Sequence, residues 1–395
     1  MQTTPKSLRL QIAILGKVNA GKSSFLNLMT GQSVSIVSDV AGTTTDTVEK
    51  AQEFHPLGPL LWLDTAGFGD MSELGQKRKQ KMQDALERAD VAIFISNSKI
   101  LEEPEKELLA LLESKKIPLI KVINQNRDFE PYLKDDFIVL NAADTSKRDA
   151  AVGLIQNALL NICPEDFLTP PAMLGDLVKA GGKVVMIVPI DAEAPKGRLI
   201  MPQVQAIRDC LDHRQTVIVC QEANYLKILE DLKTPPDLVV CDSQVVQFMV
   251  QNTPPSVKCT TFSILMARLK GDLEALAKGA KAIKDLKDGD KILISESCTH
   301  HAIKDDIGTI KIPNLMLKKT GKNLIFEHIA GCALPHDLKG YRLIIQCGGC
   351  TQNRKAILSK IATAEQSGVP ITNYGICLSA LNGVLDRVLE PFNLN

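Results

Sequence analysis

Residues 8–31, LRLQIAILGKVNAGKSSFLNLMTG, decide how the first part of the chain folds. The apolar stretch reads as a buried strand, a glycine-bounded loop follows, and a helical pattern resumes after it. The loop Gly16-Lys17-Val18-Asn19-Ala20-Gly21-Lys22-Ser23, with Ser24 next, fits GxxxxGK[ST] in the strand-to-helix context that gives the motif its meaning. Backbone N–H groups of such a loop wrap phosphates. Lys22 puts a point charge on the outer phosphates, and the Ser23 hydroxyl binds magnesium.

Two further segments belong to the same chemistry. WLDTAGFGD, residues 62–70, ends an apolar strand in a DxxG motif: Asp64 is expected to hold magnesium through water and the Gly67 amide to sense a γ-phosphate. Between them SDVAGTTTDTVEK, residues 38–50, is polar and threonine-rich, suited to a loop ordered by the γ-phosphate, with Thr44 as its magnesium threonine. Phe68 stands where many small GTPases place a water-orienting glutamine, so turnover is expected to need an ion or a partner. Base recognition departs from the usual NKxD. After the strand IPLIKVI the chain reads Asn124-Gln125-Asn126-Arg127, with Asp128 one place late. Asn124 is expected on the guanine edge, and guanine specificity is less secure than phosphate binding. The helix RDAAVGLIQNALLNI closes this region near residue 165. The GTTxD form resembles GTPases of the tRNA-modification and ribosome-assembly type. That resemblance implies a potassium ion, held with the help of Asn19, acting where an arginine finger otherwise would.

Composition limits the rest. A chain of 395 residues with 45% hydrophobic and 23% charged side chains is expected to form two or three globular domains. Lys+Arg and Asp+Glu balance at 46 each, so no overall positive field draws nucleic acid or an anionic membrane. No run reaches membrane-spanning length and no signal-peptide pattern opens the sequence, so a soluble, cytoplasmic protein is expected. Ten cysteines diluted in such a chain suggest reduced thiols, some of them metal ligands.

After the Pro/Gly-rich stretch 163–182, strands and helices alternate from KVVMIVPID to VKCTTFS, implying a small doubly wound sheet. Cys210, Cys220, Cys241 and Cys259 sit there at apolar positions and read as inert core thiols, and the module as a dimerisation platform. A lysine-rich helical stretch, MARLKGDLEALAKGAKAIKDL, leads to KILISESCTHH, whose strand delivers Cys298 near its carboxyl end. YRLIIQCGGCTQN repeats the arrangement with Cys347 and Cys350 before a helix. In an open α/β sheet the ligand crevice lies beyond the carboxyl ends of the strands, so both cysteine segments can converge there. Three chemistries compete on spacing alone. Zinc would take Cys298, His300, Cys347 and Cys350; an iron–sulfur cluster would take the three thiolates, leaving one iron for His300 or Glu296; a redox dithiol would use Cys347 and Cys350. Cys332 and Cys377 read as core residues.

Together, the phosphate loop GKVNAGKS, SDVAGTTTD, DTAG, and CxH followed by CxxC resemble the FeFe-hydrogenase maturation GTPases, the HydF family. The resemblance implies an α/β, three-domain chain: a P-loop GTPase domain at 7–166, a small doubly wound dimerisation domain at 175–262, and a cluster-binding α/β domain at 263–395. It implies a 4Fe-4S cluster on Cys298, Cys347 and Cys350, with GTP, Mg2+ and K+ at the other end. It further implies a homodimeric scaffold that takes a diiron H-cluster precursor from two radical-SAM maturases to apo FeFe-hydrogenase. Many relatives carry a histidine immediately before CxxC, where this chain has Gln346, a poor iron ligand. The alternative is a tRNA-modification or ribosome-associated GTPase with a structural zinc.

Overall fold

Strand β1 (Leu10–Gly16) is buried at every position, as a strand covered on both faces by helices must be. It lies between β3 (Gly58–Asp64) and β4 (Val91–Ser96), parallel to both, with Ile14 opposite Asp64. Antiparallel β2 (Val48–Phe54) flanks β3; β5 (Leu119–Asn124), β7 (Phe137–Leu140) and antiparallel β6 (Tyr132–Lys134) complete a seven-stranded sheet in the order β2-β3-β1-β4-β5-β7-β6. Helices α1 (Lys22–Thr30) and α4 (Arg148–Ile162) share one core with this sheet, while α2 (Glu73–Arg88) and α3 (Glu103–Ser114) share another. Trp62, fully buried, meets Phe25 and Phe54 edge-on and donates its indole N–H to Gln52.

This is a computed structural model, and it describes residues 4–32, 48–65, 73–169, 171–190, 199–297, 306–331, 333–335 and 337–394. The chain divides into two compact units, residues 1–170 and 171–395. The first ends with the short α5 (Glu165–Leu168).

The second unit holds two four-stranded sheets. In the first, β8 (Lys183–Ile187), β9 (Thr216–Cys220), β10 (Leu238–Cys241) and β11 (Lys258–Thr261) run parallel in the order β11-β10-β8-β9, connected by α6 (Met201–Asp212), α7 (Glu222–Asp231) and α8 (Val246–Asn252). In the second, β12 (Lys291–Glu296), β13 (Ile325–Ala330), β14 (Tyr341–Gln346) and β15 (Ile371–Asn373) run parallel in the order β13-β12-β14-β15. Val185 and Val239 of the first sheet and Leu293 and Ile344 of the second belong to one continuous core.

The lysine-rich stretch read as one helix is two. Helix α9 (Phe262–Lys270) stops at Gly271, whose backbone is extended (φ −121°, ψ −155°), and α10 (Leu273–Lys281) restarts with the Asp272 carboxylate accepting the Ala275 N–H. The sequence Gly-Asp supplies a stop and a cap side by side. Helices α11 (Ile312–Thr320), α12 (Arg354–Gln366), α13 (Tyr374–Leu381) and α14 (Leu385–Leu389) finish the unit. Among the described residues no helix is long and apolar enough to cross a membrane.

Candidate functional site: a phosphate loop and a cysteine crevice

The phosphate loop occupies the turn between β1 and α1. Gly21 caps α1 with φ +93°, and a Cβ there would lie 2.1 Å from the Asn124 amide nitrogen, so the position needs glycine twice over. Lys22 is buried. Its ammonium donates to the carbonyls of Gly16 (3.0 Å) and Lys17 (2.7 Å), and burial lowers its pKa to about 8 against the opposing pull of Asp64. The Ser23 hydroxyl donates to Asp64 Oδ2 at 3.1 Å, so the two side chains assigned to magnesium already meet across the β1–β3 boundary. Val18 and Ser24 are half-buried, and Asn19 is exposed with φ +65°.

Asn124 does something the sequence reading did not assign. Its Nδ2 donates to the Ala20 carbonyl (3.1 Å) and its Oδ1 accepts the Ala142 N–H (2.9 Å), tying the phosphate loop to the turn after β7. Arg127 is exposed, and Asp128 is ion-paired with Lys147 at 2.5 Å. A second tie was also missed. Lys17 pairs with Glu102 and, at 3.7 Å, with Glu105, which also accepts the Ser96 hydroxyl (2.9 Å) and the Glu102 N–H (2.8 Å) in a capping box. The hydrogen bond that Lys17 donates to Glu102 is the largest influence raising the Lys17 pKa. The run Glu102-Glu103-Pro104-Glu105 carried that helix-start signal in the sequence. Thr44, Gly67 and Phe68 lie outside the described residues.

The cysteine segments meet at the other end of the chain. In the second small sheet the chain leaves β12 towards β13 on one side and returns to β14 on the other, so strand order reverses between β12 and β14. At such a switch point the loops diverge and leave a crevice. Cys347 comes one residue after β14, is 9% exposed, and its Sγ accepts the Ser297 N–H at 3.2 Å. Ser297 itself precedes Cys298 in the chain. Cys350 is half-buried in the turn before Asn353, whose side chain caps α12 by accepting the Ala356 N–H. Gly349, at φ +59°, shapes that turn, and a Cβ there would strike Ile357 Cδ1 at 2.2 Å. Cys298, His300, His301 and Cys332 lie outside the described residues.

Two buried ammonium groups bracket the crevice. Lys270, 4% exposed, donates to the carbonyls of Cys350 (3.0 Å) and Gln352 (2.9 Å); burial lowers its pKa to about 8 while Cys350 pulls it up. Lys360, 3% exposed, donates to the hydroxyls of Ser295 (3.2 Å) and Ser297 (3.0 Å). Glu296, the last residue of β12, lies beside Tyr374, whose phenol is pushed far up by burial and then by that carboxylate. Gln346 is 2% exposed, and its Oε1 has no hydrogen-bond partner among the described residues. A soft sulfur already accepting a backbone N–H, beside buried cationic donors, suits an anionic thiolate-bound group, so the residues present fit an iron–sulfur cluster. Among the described residues no group of three or more His, Cys, Asp or Glu side chains is placed to hold a metal, two of the four predicted ligands being outside them.

Five of the other described cysteines pack in the core. Cys210, Cys241, Cys259 and Cys377 are fully buried and Cys220 is half-buried. Burial pushes Cys210 and Cys377 up to about 12, Cys220 and Cys259 to about 11, and Cys241 well above its usual value.

A buried parallel strand, a phosphate loop closing on a helix, and Ser23 against Asp64 define a P-loop nucleotide-binding domain. Residues 11–125 match the family described as 50S ribosome-binding GTPase. Residues 173–271 match the hydrogen maturase F dimerization domain and residues 274–391 its tetramerization domain, together more than half of the chain. The chain therefore belongs to the HydF family of hydrogenase maturation GTPases, and it carries that family's oligomerisation domains. It is similar to GTPase Der of a Nitratiruptor species, 36% identical over 124 residues, covering 30% of this chain and 27% of that protein. It is also similar to the tRNA modification GTPase MnmE of Endomicrobium trichonymphae, 37% identical over 139 residues, covering 33% of this chain and 29% of that protein. The chain thus spans under a third of the length of these two relatives. Among solved structures, Era in complex with MgGDPNP and nucleotides 1506–1542 of 16S ribosomal RNA aligns with a TM-score of 0.35 at 20% identity, covering 53% of this chain and 93% of that one.

Proposed function

We propose that this chain is an iron–sulfur scaffold whose GTPase domain acts as a switch, and that it carries a diiron H-cluster precursor from two radical-SAM maturases to apo FeFe-hydrogenase. The observation that carries this reading is Cys347 at the strand-order reversal, accepting the amide of the residue next to Cys298. Cys298, Cys347 and Cys350 would hold a 4Fe-4S cluster, with His300 or Glu296 as candidates for the remaining iron. When bound, the cluster supplies a one-electron redox centre and an iron-bearing point of attachment for the cargo. The chain's own residues do the rest: Ser297 donates to sulfur, and Lys270 and Lys360 anchor the two segments.

In the GTPase domain Lys22 would neutralise the outer phosphates, Ser23, Thr44 and Asp64 would hold Mg2+, and Gly67 would report the γ-phosphate. Exposed Asn19 would help to hold K+ at the open face of the loop. Turnover is then faster in potassium than in sodium at equal ionic strength, and Asn19→Ala erases the difference. The division at 7–166, 175–262 and 263–395 assigns switch, dimerisation and cluster binding in turn. Exposed Val204, Leu211, Val219 and Leu226, on α6, β9 and α7 along one edge of the first small sheet, support a homodimer surface there. A cytoplasmic protein with no nucleic-acid or membrane partner completes this reading, the neutral charge balance supplying no overall positive field for either partner.

The test is an absorption and EPR spectrum of protein purified without oxygen, with iron, sulfide and zinc measured on the same sample. Four irons and a cluster signal that can be reduced are expected. Stoichiometric zinc without iron would instead favour a zinc-stabilised GTPase.

A further inference from the structure

Helix α9 ends where the cysteine turn begins, and the two segments hold each other reciprocally. Lys270, the last residue of α9, reaches out to the carbonyls of Cys350 and Gln352. Arg354, the first residue of α12, reaches back to the carbonyls of Leu269 (3.0 Å) and Gly271 (3.2 Å). The final carbonyls of a helix need donors from outside it, and a cation there also meets the negative end of the helix dipole. Arg354 meets that need for α9. Lys270 is left to turn away from its own helix and into the turn.

The charge on Lys270 is the unusual part. Among the described residues no carboxylate lies within 4 Å of its ammonium, and both of its hydrogen bonds go to neutral backbone oxygens. A buried cation without a counter-ion is costly, whereas one beside thiolates and an anionic cluster is compensated.

We propose that Lys270 is the positioning residue of the cysteine turn: it fixes the Cys350 and Gln352 peptides and supplies a positive charge facing the iron–sulfur group. This inference rests on the cluster reading above. Because reduction adds negative charge to the cluster, a nearby ammonium favours the reduced state. Its removal lowers the midpoint potential, which loss of packing alone does not do in a charge-dependent way.

The experiment is a mediated dithionite titration followed by EPR on anaerobically reconstituted full-length wild type, Lys270→Met and Lys270→Arg, with iron content measured on each. In Lys270→Met the reduced-to-oxidised ratio, read at the wild-type midpoint, is expected to fall about tenfold, a shift of about 59 mV for a one-electron couple. Lys270→Arg keeps the charge and is expected to stay near wild type. A wild-type protein that takes up no iron overturns the cluster reading and this inference with it. A loaded wild type and a Lys270→Met protein with an unchanged midpoint overturn the role of Lys270 alone. If Lys270→Met fails to fold or to bind iron, Lys270→Arg decides: a cluster at the wild-type midpoint supports the role, and a missing cluster or a midpoint shifted to more negative values overturns it.

Discussion

The two small sheets of the second unit share one strand order. In each, the first strand has the second on one flank, the third on the other, and the fourth outermost: β9-β8-β10-β11 and β13-β12-β14-β15. Both therefore possess a reversal where a ligand crevice can form, yet among the described residues the second alone places a thiol just beyond a strand end there. Cys241 is the last residue of β10 and points into the shared core; Asp242 beyond it accepts the Gln203 amide at 3.3 Å, and Ser243 bonds to Ser263 at 2.8 Å. Gly375, in the first turn of α13, lies so close that a Cβ would sit 2.1 Å from Ser263 and 2.5 Å from Ser243. In the cysteine sheet the last strand residue is Gln346, and the thiol comes one step later. Topology supplies a crevice, and a displacement of one residue separates a thiol inside the shared core from one at the crevice.

The hardest break of that comparison exchanges sulfur for oxygen at the two strand ends. Cys347→Ser should lose nearly all cluster iron after anaerobic reconstitution, whereas Cys241→Ser should keep it and lose about 1–3 kcal/mol of stability through a buried hydroxyl. Equal iron in both variants would remove Cys347 from the ligand set. Alkylation of cluster-free native protein at pH 8 comes next in size. A thiol whose pKa has risen to about 11 binds its proton more tightly, so at pH 8 it is roughly a hundredfold poorer in thiolate than one near 9, and reactivity returns only as pH climbs. Peptide mapping should find half-buried Cys350 labelled before buried Cys259 and Cys210, whose thiolates burial disfavours.

A smaller effect sharpens the packing side. Gly279 of α10 approaches β15 so closely that a Cβ would lie 1.9 Å from the Ile371 carbonyl oxygen. Gly279→Val should cost about 1–3 kcal/mol in urea unfolding, as overpacking does; no loss would mean that α10 moves aside freely. The smallest effect concerns the third strand-order reversal of the chain, between β1 and β4, where the phosphate loop sits. Exposed Asp128 is occupied with Lys147 in an ion pair that solvent screens, so Asp128→Ala should change GTP-over-ATP preference by less than about tenfold. A larger drop in competition binding would show that Asp128 leaves Lys147 to read the base.

The sequence was most legible where one local pattern decides one element. The strand, loop and helix around Lys22 follow from apolar periodicity and glycine placement, and α4 occupies the residues its pattern indicated, Arg148 to Ile162. The placing of both cysteine segments at strand ends was legible for the same reason. What stayed hidden depends on partners distant in sequence. Asn124 reaches Ala20 and Lys270 reaches Cys350, ties that no local window contains. Lys270 also reads as a solvated lysine on a helix face, since its burial comes from elements packed on α9 that no local window contains. The break at Gly271 was in plain view as Gly-Asp, but lysine and alanine on either side sustain a helical period that masks it.

The shared core of the two small sheets bears on how the chain can be divided. The family segments meet between residues 271 and 274, which looks like a natural place to cut. Yet Val185, Val239, Leu293 and Ile344 are packed in one cluster, and Ile264 and Ala267 of α9 join the same cluster as Leu276 and Ala280 of α10. A fragment beginning at 272 would leave that surface bare to water and should aggregate, while in calorimetry of the whole chain residues 171–394 should melt in a single endotherm. Two family segments thus share one core, and neither is expected to outlast the other on heating.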